Sequence, residues 1–143
     1  MNVPMTKSQA KSLKKLLRRI VILRDKEQCA HCGRSGIVLH LSHVKGEGAW
    51  PRLKFEPLNV KLLCVKCHLY YWHKDVTEAT HWFEEKYPSR IEHLNRLVRD
   101  YYSLPKPDYK KLKEEFEEMI YQMEHPGRIY RKSKRYERDA EHQ

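Results

Sequence analysis

Two Cys-x-x-Cys pairs, Cys29-Ala30-His31-Cys32 and Cys64-Val65-Lys66-Cys67, constrain this chain more than any other feature. Each pair can wrap a knuckle around one tetrahedral ion and bring its thiolates to about 2.3 Å from Zn²⁺, so the four together predict a structural zinc. Gly33 supplies the backbone freedom a tight metal loop needs. His31, inside the first knuckle, is expected to point outward, since four cysteines already complete a ligand set. Cysteines spaced this way suit a reduced setting, and an intracellular, cytoplasmic protein is expected.

Between the knuckles lies the stretch Leu39 to His68, where the candidate chemistry is concentrated. Ile37 to Val44 is rich in β-branched and aliphatic residues and reads as a strand, with His40 and Ser42 on one side and His43 on the other. Lys45 to Ala49 is a flexible connection with Gly46 and Gly48, and Trp50 to Phe55 reads as a second strand that completes a long-looped hairpin. A helix is expected from about His68, aiming that imidazole back across the hairpin.

The flanks read as helices. Thr6 with Gln9 forms a capping box ahead of Ala10, Leu13, Leu17 and Ile20 at helical spacing, and residues before it are expected to be loose. Asp75 with Glu78 and Ser89 with Glu92 predict further capping boxes, for helices running to about Lys86 and Tyr102. Ser103 to Pro107 is a linker, and Asp108 opens an amphipathic helix with Tyr109, Leu112, Phe116, Met119, Ile120 and Met123 on its apolar side. Its polar side is acidic, which favours packing or self-association over contact with nucleic acid. The expected architecture is α+β and mostly helical. A basic N-terminal helix occupies 1–26, a zinc-stapled core 27–88, a helical extension 89–127 and a mobile basic tail 128–143.

A formal net charge of +10 makes an anionic polymer the expected partner. The longest apolar run, Ile20 to Leu23, is far too short for a membrane span. Lys14, Lys15, Arg18 and Arg19 on the first helix, with Lys45, Arg52 and Lys54 around the hairpin, are the candidate phosphate contacts.

Phosphodiester hydrolysis needs a water made nucleophilic and an ion to neutralise charge on the leaving oxygen. His43 at the strand end is the candidate base, because a neutral imidazole titrating near working pH can take the water's proton. His68 is the candidate ligand for a catalytic Mg²⁺ or Mn²⁺. Asn59 carries both donor and acceptor and can clamp the connecting loop to orient His43.

These residues resemble the HNH endonucleases, which have the ββα-metal fold. The likeness spans about Cys29 to His73 and rests on Cys-x-x-Cys, then His43 ending a strand, then Asn59-Val60-Lys61-Leu62-Leu63-Cys64-Val65-Lys66-Cys67-His68. It is greatest toward small phage and prophage members, in which Arg-Asp precedes the first knuckle, as Arg24-Asp25 does here. The resemblance implies a DNA-cleaving enzyme, with nicking as the default and phage packaging or recombination proteins as possible partners. It further implies that His43 is the general base, Asn59 the structural asparagine and His68 a metal ligand, with the cysteine zinc separate from the catalytic ion. One position departs from the pattern. Many members carry a metal-binding Asp or His just before the base, whereas this chain has Ser42, a weak ligand. His40 shares the strand face of Ser42 and is the candidate substitute, while His73 follows His68 by five residues and on a regular helix would point elsewhere. The competing reading is a zinc-stapled module that binds nucleic acid without cutting it.

Overall fold

The computed structural model describes residues 3–128. It opens with the 19-residue helix α1 (Lys7–Asp25). The Thr6 hydroxyl accepts from the Gln9 N–H at 3.0 Å and the Gln9 side chain accepts from the Thr6 N–H at 3.0 Å, so two first-turn donors are satisfied reciprocally. Leu13, Leu17, Ile20 and Val21 are buried along one face. Met5, expected to be loose, packs against the core instead.

The sheet has two antiparallel strands, β1 (Leu39–His43) and β2 (Val60–Cys64), in a register that pairs Leu39 with Cys64, Ser42 with Lys61 and His43 with Val60. The second strand is therefore not Trp50 to Phe55. Pro51 has a fixed φ and no N–H to give a ladder, and it starts a single 3₁₀ turn over Pro51–Leu53, with the Leu53 N–H on the Trp50 carbonyl at 2.9 Å. A second such turn, Pro57–Asn59, leads into β2, so the whole of residues 44–59 connects the strands. Every residue of β2 is buried, Lys61 included. Apart from Lys61 the strand is apolar throughout, as a strand covered on both sides is, and α1 packs against it.

After β2 the chain rounds the second knuckle and turns through Cys67–Trp72 as a π turn, closed by the His73 N–H on the His68 carbonyl at 3.1 Å. Helix α2 (Val76–Lys86) follows, its first turn capped by the Asp75 carboxylate accepting from the Glu78 N–H at 3.2 Å. Helix α3 (Pro88–Arg99) is started by Pro88 rather than by a Ser89–Glu92 box: proline at the first position has the helical φ already set and no N–H to leave unpaired. It stops at Arg99, and Tyr101–Ser103 forms a 3₁₀ turn where the sequence suggested more helix. Helix α4 (Tyr109–Glu124) begins after Asp108, whose side chain makes no capping hydrogen bond.

The apolar side of α4 lies along α1, with Phe116 fully buried and Tyr109, Leu112, Met119, Ile120 and Met123 packed around the core. Arg19 and Glu124 face each other at 3.5 Å across that seam. Phe83, Leu94 and Trp72 fill the centre from the other side. Asp25 joins three elements: Arg24 grips its carboxylate at 2.9 and 2.7 Å, Arg90 of α3 adds a contact at 2.9 Å, and Arg24 also donates to the carbonyls of Pro57 and Val60. Burial would raise the Asp25 carboxyl, but these guanidinium groups hold it below its ordinary range. Among the described residues no helix is long and apolar enough to cross a membrane. The basic tail expected over 128–143 lies, beyond Arg128, outside the described residues.

Candidate metal centre and histidine cluster

The knuckles meet as their spacing predicts. The sulphur atoms of Cys29, Cys32, Cys64 and Cys67 all lie within 4.8 Å of one another, and none is in a disulfide. Cys32 Sγ and Cys64 Sγ are 3.8 Å apart, close to the roughly 3.8 Å edge of a tetrahedron whose corners are about 2.3 Å from a central zinc. In each knuckle a backbone N–H donates back to the first sulphur: Cys32 to Cys29 Sγ at 3.5 Å and Cys67 to Cys64 Sγ at 3.4 Å. Burial opposes ionisation of Cys29, yet backbone hydrogen bonds from Cys32, Cys64 and His31 bring its thiol down to about 7. Burial and the neighbouring sulphurs push Cys67 up. One thiolate is thus readily formed and the next is resisted, which is how four crowded thiols behave until a cation offsets their charge. The cluster is fit to hold a metal ion such as zinc. His31 does not point outward: its Nδ1 lies 3.4 Å from Cys67 Sγ, and its ring stacks on Tyr71 with centroids 4.1 Å apart.

Asn59 acts as a bolt inside the 44–59 connection. It is fully buried, its Oδ1 accepts from the Lys45 N–H at 2.7 Å, and its Nδ2 donates to the carbonyls of Lys45 and Leu53, each at 3.0 Å. One side chain therefore engages three backbone groups, that of Leu53 buried and the two of Lys45 half-buried, and fixes both limbs of the loop. Next to Leu53, the Lys54 carbonyl accepts from His43 Nε2 at 2.9 Å. A carbonyl can only accept, so Nε2 carries the proton and Nδ1 is the basic nitrogen of the neutral ring. Glu47, which the sequence did not single out, places Oε2 3.9 Å from the same Nε2. Burial lowers the His43 imidazole below its ordinary value, aided by the charges of Lys14 and Lys61, against the Lys54 carbonyl and Glu47, which raise it.

His68 stands between two other imidazoles. Its Nδ1 is 2.9 Å from His40 Nδ1, and its Nε2 is 2.9 Å from His73 Nε2. His73 is the residue that sequence reasoning set aside. A spacing of five diverges on an α-helix, but the π turn stacks residues i and i+5, and the only advance signal was that spacing. Each separation is close to the roughly 3 Å between neighbouring ligand atoms on one six-coordinate ion bound at about 2.1 Å. His68 presents different edges to its two neighbours, so it can share an ion with His40 or with His73, not with both at once. Burial first, then the charges of His73, His40, Lys61 and His43, push the His68 imidazole down to about 4, leaving it in the unprotonated form a metal requires.

Ser42 does not join this file. Its hydroxyl is buried and accepts from Lys61 Nζ at 3.1 Å, and the same ammonium sits 3.3 Å from the centroid of the Trp72 ring. Burial drives Lys61 well below its ordinary value.

Of the basic residues, Lys14 and Lys15 are exposed on α1. Arg18 donates to the Leu39 carbonyl at 2.9 Å and Arg19 faces Glu124. The Lys45 backbone is held by Asn59, and Lys54 lies 3.9 Å from Glu47 and over the Phe55 ring. Arg52 and Lys54 share no strand face, because the segment is a turn, and the Arg52 guanidinium is engaged by backbone carbonyls. Comparisons with family models, with curated proteins and with solved structures gave no match to this chain.

Proposed function

We propose that this protein is a metal-dependent endonuclease that hydrolyses DNA phosphodiester bonds, an HNH nuclease in which His43 is the general base and His68 helps to hold the divalent ion. The observation that carries the reading is the hydrogen bond between His43 Nε2 and the Lys54 carbonyl. With Nε2 committed to the Lys54 carbonyl at 2.9 Å, the unprotonated Nδ1 is the atom that can take a proton from water. Asn59 fixes the loop that supplies that carbonyl, which supports the reading.

A divalent ion held by His68 with His40 or His73 would neutralise charge on the scissile phosphate and its leaving oxygen. Imidazole donors favour ions such as Ni²⁺ or Zn²⁺ over Mg²⁺, which prefers oxygen ligands, so the geometry moves the expectation away from Mg²⁺. The charge of Lys14, exposed on α1, helps to lower the His43 imidazole and would also favour an approaching phosphate. A single site cuts one strand per encounter, and nicking is the expected product.

The test is supercoiled plasmid incubated with the full-length, zinc-loaded protein in Ni²⁺, Mn²⁺, Mg²⁺, Zn²⁺ or EDTA. Metal-dependent conversion to relaxed circles is the expected result. A salt-sensitive gel shift with no relaxation in any metal would replace this reading with a zinc-stapled DNA-binding module.

A further inference from the structure

The turn after α3 is tied to the loop that carries the Lys54 carbonyl. The Arg52 N–H donates to the Tyr101 hydroxyl at 3.1 Å, and Arg52 Nη1 donates to the carbonyls of Tyr101, Tyr102 and Leu104 at 3.3, 3.2 and 3.0 Å. The guanidinium carbon also lies 5.4 Å from the centroid of the Tyr101 ring, and Trp50 meets that ring edge-on at 5.1 Å. Tyr101 itself is buried. The two hydrogens of one arginine nitrogen are thus shared among three carbonyls where α3 unwinds, of which that of Tyr101 also accepts from the Leu104 N–H at 3.0 Å, and the arginine's own backbone is pinned by the tyrosine it stacks on.

This clasp sits two residues before Lys54. The 3₁₀ turn Pro51–Leu53 spans the gap, so the carbonyl that fixes His43 is gripped from inside by Asn59, through Leu53, and from outside by Tyr101, through Arg52. We propose that Arg52 and Tyr101 are positioning residues for His43: they hold the Lys54 carbonyl where it enforces the Nε2–H tautomer, which makes the C-terminal extension part of the reactive centre. The consequence for cleavage rests on the nuclease reading; the consequence for the tautomer does not.

Imidazole ¹⁵N NMR on the full-length, zinc-loaded protein, at a pH where His43 is neutral, reads the tautomer directly. Wild type is expected to show the Nε2–H form. Arg52→Met and the milder Tyr101→Phe, which removes one oxygen and keeps the ring, should both show a mixture with the Nδ1–H form. In plasmid nicking, kcat should fall by about tenfold for Tyr101→Phe and about 10² for Arg52→Met, with KM little changed, as expected for a misplaced reacting group. Arg52→Lys should restore the Nε2–H form only in part, because its ammonium can donate to the carbonyls but has no plane to lay over the Tyr101 ring. Folded Tyr101→Phe or Arg52→Met that keeps the pure Nε2–H signal and the wild-type kcat would overturn the proposal. A tautomer shift in the variants, with no nicking even by wild type, would uphold the clasp and remove the nuclease reading.

Discussion

His68 and His73 bring their Nε2 atoms within 2.9 Å of each other although five residues separate them, because the chain between them winds as a π turn. That contact, rather than the resemblance, makes His73 a candidate ligand, and it competes with the equally close pair of His68 and His40. Calorimetric titration of Ni²⁺ into the zinc-loaded protein separates them. If the ion uses the π-turn pair, His73→Ala should weaken binding by about 10-fold to 100-fold while His40→Ala changes it little. The opposite ranking would place the ion on the strand side.

Asn59→Ala should be the most costly single change in the loop. It leaves the half-buried Lys45 N–H and carbonyl without their partner and takes from the buried Leu53 carbonyl one of its two donors, the Glu56 N–H remaining, and a buried group that loses its partner costs about 1 to 3 kcal/mol. Denaturant unfolding should show a loss of at least about 2 kcal/mol, with zinc content unchanged. A loss below about 0.5 kcal/mol would mean that water replaces the amide without penalty.

Asp25 predicts a pH dependence with a definite sign. Its folded-state carboxyl is lowered below the unfolded value, so the unfolded chain binds more protons in acid. The stabilisation is present above the unfolded pKa and is lost as pH falls through the folded value. Asp25→Asn should therefore destabilise by about 3 kcal/mol at pH 7, since two guanidinium groups lose their partner, and the gap to wild type should close toward pH 2. Parallel unfolding curves with a constant offset across that range would contradict this.

Cys64→Ser removes a buried sulphur from the cluster, and folding free energy should go with the lost metal. Elemental analysis of wild type is expected to give one zinc per chain. The variant should yield little soluble protein or a melting temperature lower by at least about 10 °C. Folded wild type that contains no zinc and has four freely reactive thiols would refute the metal centre.

What the sequence revealed is mostly what short-range spacing controls. Cys29, Cys32, Cys64 and Cys67 converge because each knuckle is fixed by its own four residues, and α1 begins at Thr6 because the capping box is local. What it hid depends on context. Alternation in Trp50 to Phe55 suggests a strand, but the strand is Val60–Cys64, in which a lysine is buried against the usual reading of that residue, while Pro51 starts a 3₁₀ turn. Ser42 looked like a weak ligand, but its hydroxyl is used by that same lysine. Arg52 read as a phosphate contact because its charge is visible in sequence and the three carbonyls that hold it, about fifty residues on, are not.

The central claim is that His43 supplies the base, and His43→Ala tests it most directly. The side chain belongs to neither the cysteine cluster nor the apolar core, so zinc content and DNA affinity should stay close to wild type, while the lost hydrogen bond to the Lys54 carbonyl should lower the melting temperature by only a few degrees. Plasmid nicking, measured in the metal that best supports wild type, should slow by about 10² to 10⁴ and should not recover with excess metal. Nicking by His43→Ala at the wild-type rate, with the same metal dependence, would contradict the account.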